Sequence, residues 1–316
     1  MVIASASLFA LFTGFNDAGA MISVGLRAQG LGLSTALAVL TGSVVAAPVL
    51  IGTAVATTLD GRLVRFPDGD GRPYLLIGVA AAVAVTIGLA GRRLPTSLTL
   101  ALVGGIAGAG AGAGAHVDWL VVVAVLAAAA AAPVIGAVAA LAACRLVGAL
   151  PAPKGAGRRL RRLHIGAFLA SCLAYGANDG QKILAVYAAV TASEPAAYAR
   201  TPAVLLPLAG CFLIGALLGG RRLARGFGAG LATTNPQSVV VTELSGAAVV
   251  LGTASVGAPV SMTQSLSGAL VGANLSGGRR RVKWRGVVRL GRAWLLTLPA
   301  AFAVGAAGSA ALAAAS

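Results

Sequence analysis

Charged residues are scarce in this sequence, and their scarcity narrows its structural class. Only 10% of the 316 residues are charged and only 8 are acidic, whereas a soluble domain carries about 25% charged residues. The mean hydropathy is +0.91, and nearly every stretch of about 20 residues between loops is apolar, which is the length of a membrane span. An ordinary soluble fold is therefore excluded, and the sequence predicts an all-α polytopic membrane protein.

Cysteine is also scarce, and motifs typical of enzymes are lacking. Cys144, Cys172 and Cys211 are scattered and mostly inside apolar stretches. They do not have metal-ligand spacing, so we interpret them as packing residues. The sequence contains no nucleotide-binding loop, heptad repeat or nucleophile triad. It therefore favours a protein that is not an enzyme and that uses neither a bound metal nor an organic cofactor.

Glycine and positive charge are abundant. The 44 glycines suit helices that pack closely in lipid, where small residues let backbones approach. The net charge of +16 comes from Arg and Lys in short loops, which the positive-inside rule explains better than nucleic-acid binding does. The apolar start 1–11 lacks a basic n-region and runs on through Asn16 and Asp17. We therefore expect it to be the first span rather than a signal peptide.

The apolar runs predict about ten crossings, or about 10–12 helices if the longest runs are broken. They lie near 2–24, 33–56, 74–91, 94–114, 119–148, 164–191, 202–220, 226–253, 258–276 and 285–315.

The second half of the chain repeats the first. Gly14-Phe-Asn-Asp17 recurs as Gly176-Ala-Asn-Asp179, and Pro95-Thr-Ser-Leu-Thr99 recurs as Pro259-Val-Ser-Met-Thr263, at nearly the same offset. A repeat of half the chain indicates a two-fold carrier rather than a solenoid. The predicted organisation is one repeat over 1–150, a basic linker over 151–163 and the second repeat over 164–316.

The distribution of charge predicts that the two repeats are inverted. Arg92 and Arg93 precede the first Pro-x-Ser-x-Thr motif, whereas the matching stretch 253–258 has no basic residue; after the motif, the basic residues belong to the second copy, at 279–283. Equivalent loops therefore face opposite sides, as an odd number of crossings per repeat requires. We expect a multi-pass protein of a bacterial inner membrane with the linker in the cytoplasm and both termini outside.

Three carboxylates lie within apolar runs: Asp17, Asp179 and Glu243. A carboxylate in hydrocarbon costs about 3 kcal/mol or more, so each should face a polar cavity. Asp17 and Asp179 occupy equivalent repeat positions and follow Asn16 and Asn178. We predict that these four residues bind a coupling cation, with Glu243 as a further candidate that has no repeat partner. The alternative is that the charges are structural and lie buried against Lys182 or a backbone dipole.

The two Pro-x-Ser-x-Thr motifs form the second group of candidate site residues, after the carboxylates. Proline is tolerated at the first position of a helix, and a helix that begins in mid-membrane exposes free N–H groups and a positive dipole end. Two such starts from inverted repeats would form an anion site; the alternative is a proline kink. Lys182 either pairs with Asp179 or reaches the anion. The predicted substrate-binding residues are Ser97, Thr99, Ser261, Thr263, Asn16, Asn178, Gln181 and Lys182.

At these residues the chain resembles the inorganic phosphate transporter (PiT) family. The second copy, Gly176-Ala-Asn-Asp-Gly-Gln-Lys182, is similar to the bacterial low-affinity phosphate permease branch, and the stretch from Thr234 to Pro299 follows the family's C-terminal half. The resemblance covers essentially the whole chain. It implies phosphate symport driven by protons or sodium, with the Asn-Asp pairs and the Ser/Thr segments lining the site, and it associates bacterial members with metal-phosphate complexes.

The chain departs from the family's pattern at several polar positions. Asn is usual where Ala20 stands, and many relatives have His in place of Tyr175. Threonine is usual at Leu98 and Met262, and His at Leu100 and Gln264.

Three functions remain open, and the departures at Ala20 and Leu98 motivate the third. The first is a phosphate symporter; the second is a permease of the same fold for sulfate or another oxyanion; the third is a degenerate, non-transporting membrane subunit. The expected partners are phosphate and the lipid bilayer, without nucleic acid, and the sequence leaves a homodimer open.

Overall fold

The computed structural model of the chain describes residues 2–28, 30–66, 71–91, 96–149, 151, 155–191, 193–224, 230–233 and 235–315. The described part of the first half contains α1 (Val2–Gly25), α2 (Leu33–Ile51), α3 (Ala54–Thr57), a π-helical turn (Thr58–Arg62), β1 (Val64–Arg65), α4 (Arg72–Gly91), α5 (Leu98–Gly112), β2 (His116–Val117) and α6 (Trp119–Gly148). The described part of the second half contains α7 (Ala156–Tyr175), a π-helical turn (Gly176–Gly180), α8 (Gln181–Thr191), α9 (Pro195–Tyr198), α10 (Pro202–Ala224), α11 (Pro236–Ser255), α12 (Met262–Leu275), a 3-10 turn (Arg279–Arg281) and α13 (Trp284–Ala315).

Seven of the described helices are long and apolar enough to cross a membrane: α1, α2, α4, α6, α10, α11 and α13. Helices α5 and α12 have only 15 and 14 residues. At 1.5 Å per residue they reach roughly 22 Å, which is shorter than the hydrocarbon core of about 30 Å. The predicted all-α membrane fold is confirmed. The apolar runs 94–114 and 258–276 were predicted as crossings, whereas the short lengths of α5 and α12 agree with the helix starts in mid-membrane that the Pro-x-Ser-x-Thr motifs predicted.

Some predicted spans differ from the helices in detail. The predicted span 33–56 is broken at Gly52, whose φ of 99° ends α2. The predicted span 164–191 begins earlier, because α7 starts at Ala156, and it is interrupted by the π-helical turn 176–180. The basic segment 151–163, predicted as a linker, is therefore helical from Ala156 onward.

The two repeats run through the bundle in opposite directions. Gly215 and Gly219 of α10 lie against the backbone carbonyls of Leu11 and Phe15 of α1. The contact advances along both helices in the same sense, so α1 and α10 are parallel. In the repeat, α10 is the counterpart of α2, and the short connection after α1 turns α2 back against α1. Helices α2 and α10 are thus antiparallel, which confirms the inverted arrangement.

The half-length helices are held by matching glycine contacts. In α5, Gly104 and Gly108 lie against backbone carbonyls of α13; in α12, their repeat counterparts Gly268 and Gly272 lie against backbone carbonyls of α6. At each position a Cβ atom would overlap the carbonyl oxygen, so only glycine allows this approach. Each half-length helix therefore packs on the last helix of the other repeat.

A short backbone pairing closes each repeat. Val64 pairs with Val117 between β1 and β2, and the equivalent residues Ala232 and Val282 form an isolated bridge. Because the repeats are inverted, the two pairings lie at opposite ends of the bundle.

Candidate functional site

The two Gly-x-Asn-Asp copies meet inside the bundle. The first lies within α1 and the second forms the π-helical turn between α7 and α8. Asp17 and Asp179 are each only 2% exposed. Gly14 and Gly176 lie against backbone carbonyls of α10 and α2, where a side chain would not fit. The glycine of each copy therefore lets its helix pack closely enough to bury the Asn-Asp pair.

The two asparagines anchor the segments that precede the half-length helices. Asn16 Nδ2 donates to the carbonyl of Thr96 at 3.4 Å, and the Thr96 hydroxyl donates to Asn16 Oδ1 at 3.1 Å. In the second repeat, Asn178 Nδ2 donates to the carbonyl of Ala258 at 3.3 Å, and the N–H of Val260 donates to Asn178 Oδ1 at 3.2 Å. Each asparagine thus ties its signature to the entry of a half-length helix in its own repeat, and Thr96 is a site residue that the sequence analysis missed.

The half-length helices begin at buried serine caps. Ser97 accepts a hydrogen bond from the N–H of Leu100 at 3.3 Å, and Ser261 accepts one from the N–H of Gln264 at 3.4 Å. Serine is a favoured N-cap because its oxygen satisfies a free N–H of the first turn.

The prediction that the second of these helices starts at its proline is wrong. Pro259 lies in the non-helical segment before Ser261, and α12 begins at Met262. The equivalent Pro95 lies outside the described residues.

The entries of the two half-length helices touch each other. The hydroxyl of Thr99, in the first turn of α5, donates to the carbonyl of Val260, just before α12, at 3.0 Å. The hydroxyls of Ser261 and Thr263 lie 2.7 Å apart. The structure therefore brings Ser97, Thr99, Ser261 and Thr263 into one buried region between the inverted repeats.

Lys182 joins this region to the second signature. Its ammonium donates to Asp179 Oδ1 at 2.6 Å, to the Thr99 hydroxyl at 2.6 Å and to the Val260 carbonyl at 2.5 Å. The side chain is 1% exposed. A lysine has three N–H donors, and all three are used here. Of the two roles predicted for Lys182, the structure contains the pairing with Asp179 and leaves no donor for an anion.

The two carboxylates have different surroundings. Asp179 holds Lys182 and also accepts from the N–H of Met262, at the start of α12, at 3.3 Å. Asp17 accepts from Asn16 Nδ2 at 2.8 Å and from the Tyr175 hydroxyl at 3.4 Å. Within the described residues, no cation forms a salt bridge with Asp17, and the two side chains that donate hydrogen bonds to it are neutral.

Gln181, a predicted substrate-binding residue, has its partners outside this region. Gln181 Oε1 accepts from the backbone N–H groups of Val55 and Ala56 at 2.9 and 3.2 Å. It therefore caps α3 just after the break in α2, and the structure shows it as a positioning residue for that break.

Glu243 is separated from the aspartate pair. Its Oε1 lies 3.5 Å from His164 Nε2 and close to Gly25 of α1. Gly25 is eight residues beyond Asp17, about 12 Å along the helix axis. His164 is fully buried. The only signal for this pair in the sequence was Glu243 within an apolar run.

Comparison with known proteins identifies the relatives of this chain. The sequence model of the phosphate transporter family matches twice, at residues 13–156 and 152–305. A probable low-affinity inorganic phosphate transporter of Mycobacterium leprae is 31% identical over 97% of this chain and 76% of its own length. A protein of the same description from Bacillus subtilis is 24% identical over 97% of this chain and 94% of its own length.

A solved structure has the same fold. It is described as the sodium-dependent phosphate transporter, and it superimposes with a TM-score of 0.81 over 98% of both chains at 18% sequence identity. At this identity the likeness concerns the fold alone.

Proposed function

The chain belongs to the phosphate transporter family, and from that premise we propose that it carries inorganic phosphate across a bacterial inner membrane by symport with a cation, either a proton or sodium. One observation supports the proposal: the starts of the two half-length helices contact each other inside the protein, next to two buried carboxylates. An anion and a cation can both be held there.

In this proposal phosphate binds at the first turns of α5 and α12. The oxygens of Ser97 and Ser261 accept backbone hydrogen bonds. Ser261 also shares a hydrogen bond with the Thr263 hydroxyl, and when Thr263 is the donor the hydrogens of both serine hydroxyls can be donated to an anion. The N–H groups of Leu98 and Thr99 have no acceptor among the described residues. Free first-turn N–H groups and the positive end of the helix dipole are the usual donors to phosphate.

The coupling cation binds at a carboxylate, and the candidate ligands are the oxygens of Asp17 and Asn16 in the first repeat or those of Asp179 and Asn178 in the second. A buried negative charge is expensive without a partner, and phosphate adds more negative charge to the same region. Phosphate and cation therefore stabilise each other, which couples their movement. Glu243 lies outside this cluster, and we assign it no contact with either ion.

The inverted repeats supply the movement. In carriers built this way, one repeat rocks against the other around a site near the midplane. Here the site lies where the entry of α5 contacts the entry of α12, so a relative motion of the repeats would open it to one side and then to the other. We place the basic segment 151–163 in the cytoplasm and both termini outside, as the distribution of Arg and Lys indicates.

Uptake of labelled phosphate by proteoliposomes tests this function. The purified chain should take up phosphate in the presence of an inward sodium or proton gradient, and excess unlabelled sulfate should not compete. Competition by sulfate would indicate an oxyanion permease of broader specificity, and a lack of uptake under both gradients would indicate a non-transporting subunit. The same uptake assay with and without magnesium tests whether phosphate is transported as a metal complex.

A further inference from the structure

The ammonium of Lys182 occupies a set of oxygen atoms that would suit a metal cation. Its three acceptors are a carboxylate oxygen of Asp179, the hydroxyl oxygen of Thr99 and the backbone carbonyl oxygen of Val260, at 2.5–2.6 Å. Carboxylates and carbonyls are ligands that hard cations take in proteins. A lysine ammonium is a compact point charge, so it can replace a small cation among such oxygens.

In the first repeat, the corresponding oxygens contact no ammonium of a described residue. The repeat counterparts of Asp179, Thr99 and Val260 are Asp17, Thr263 and Thr96. Asn16 Nδ2 contacts both Asp17 Oδ1 and the Thr96 carbonyl, which brings two of the three oxygens together.

The counterpart of Lys182 is Ala20, which is 3% exposed and carries no charge. Each oxygen that contacts Lys182 therefore has a repeat counterpart, two of the three counterparts lie together, and only the second-repeat set contacts an ammonium within the described residues.

We infer that Lys182 is a resident cation that fills the cation position of the second repeat, so that only the Asp17 position takes a mobile coupling cation. This inference rests on the proposed symport and deepens it, because it fixes which carboxylate is coupled. It also reassigns Lys182 from the predicted substrate-binding set, since its three donors are already used by the protein.

The contacts favour this role over a purely local salt bridge. Of the three acceptors, only Asp179 belongs to the same Gly-x-Asn-Asp segment as the lysine. Val260 lies just before α12, and Thr99 belongs to α5 of the other repeat. The ammonium thus links the entries of both half-length helices, where a coupling cation would act. Removal of the ammonium should leave Asp179 with an uncompensated buried charge and a space lined by three oxygens, which a mobile cation can enter.

Equilibrium binding of labelled sodium to the purified protein tests the inference. Lys182→Ala removes the ammonium and leaves space, so it should bind one more sodium ion per chain than the parent. Lys182→Met removes the charge but fills the space, and it should bind no extra ion. The same count in Lys182→Ala as in the parent, with an unchanged melting temperature, would overturn the inference.

A variant at the equivalent position of the first repeat provides a second test in case Lys182→Ala does not fold. Ala20→Lys places an ammonium three residues after Asp17, as Lys182 follows Asp179. It should make binding of labelled phosphate to the purified protein insensitive to sodium and pH, whereas retention of the parent's cation dependence would contradict the inference. If the parent does not transport phosphate, the proposed function fails, but the sodium count for Lys182→Ala still tests the resident cation.

Discussion

Replacing Ser97 or Ser261 by alanine should weaken phosphate binding much more than it weakens the fold. The cap bonds that these serines accept are 3.3 and 3.4 Å long, beyond the usual 2.9–3.0 Å for N–H···O bonds. The loss of helix stability should therefore lie near the low end of the range for N-caps, about 0.5–1 kcal/mol.

The loss of phosphate affinity should be larger. Each alanine removes a hydroxyl donor to a charged group, worth about 1.5–3 kcal/mol. This corresponds to a phosphate constant raised roughly ten-fold or more, because about 1.4 kcal/mol is one factor of ten. The two variants should behave alike, since the serines occupy equivalent repeat positions. The assay is labelled-phosphate uptake over a range of phosphate concentrations at a fixed cation gradient.

Ser265→Ala is the matched control. Ser265 is fully buried in the same helix as the Ser261 cap, but its hydroxyl donates to the carbonyl of Ser261 at 3.1 Å. Its loss should cost some stability and leave the phosphate constant unchanged. If Ser97→Ala and Ser261→Ala keep the parent's phosphate constant, the anion does not bind at the helix starts.

Three further predictions follow from the site and the inverted repeats. Asp17→Asn should abolish uptake while the protein remains inserted and folded, because the buried position loses the charge that holds the mobile cation; near-normal uptake would make that charge structural. In a cysteine-free background, single cysteines at Gly155 and Gly278 should be labelled only from the cytoplasm and one at Ala113 only from outside, and labelling of all three from one side would contradict the topology. Gly176→Val should lower the apparent melting temperature by several degrees, because its side chain would overlap a backbone carbonyl of α2; an unchanged melting curve would show that the close approach is dispensable.

The sequence was sufficient to predict the repeat and the broken helices. Asp17 and Asp179 stood out because a carboxylate is rare in an apolar run. Ser97 and Ser261 stood out because they recur at matching positions. The inversion could be inferred from loop charge alone, because an odd number of crossings moves basic loops to opposite repeat positions. Each of these signals is local in sequence or is periodic.

The contacts between the repeats could not be predicted in the same way. The choice between two roles for Lys182 depends on its distance to Thr99, a residue 83 positions away. The pairing of Glu243 with His164 depends on how α7 packs against α11. Both arise from tertiary packing, for which a single sequence carries no pattern.

The error at Pro259 has a different cause. Both helix-start signals, the proline and the serine, were present in the sequence, and the cap interaction of Ser261 prevailed. Proline remains in the segment before the helix because its fixed φ also suits extended backbone.

Uphill movement of phosphate tests the central claim most directly. Proteoliposomes holding the purified chain are prepared with equal phosphate concentrations on both sides, and an inward cation gradient is then imposed, with sodium and protons in separate arms. Symport through the Asp17 position predicts that internal phosphate rises above the external concentration in at least one arm, and that the Asp17→Asn variant does not accumulate phosphate. Exchange of label without net accumulation in either arm, with the parent and the variant alike, would contradict cation-coupled transport.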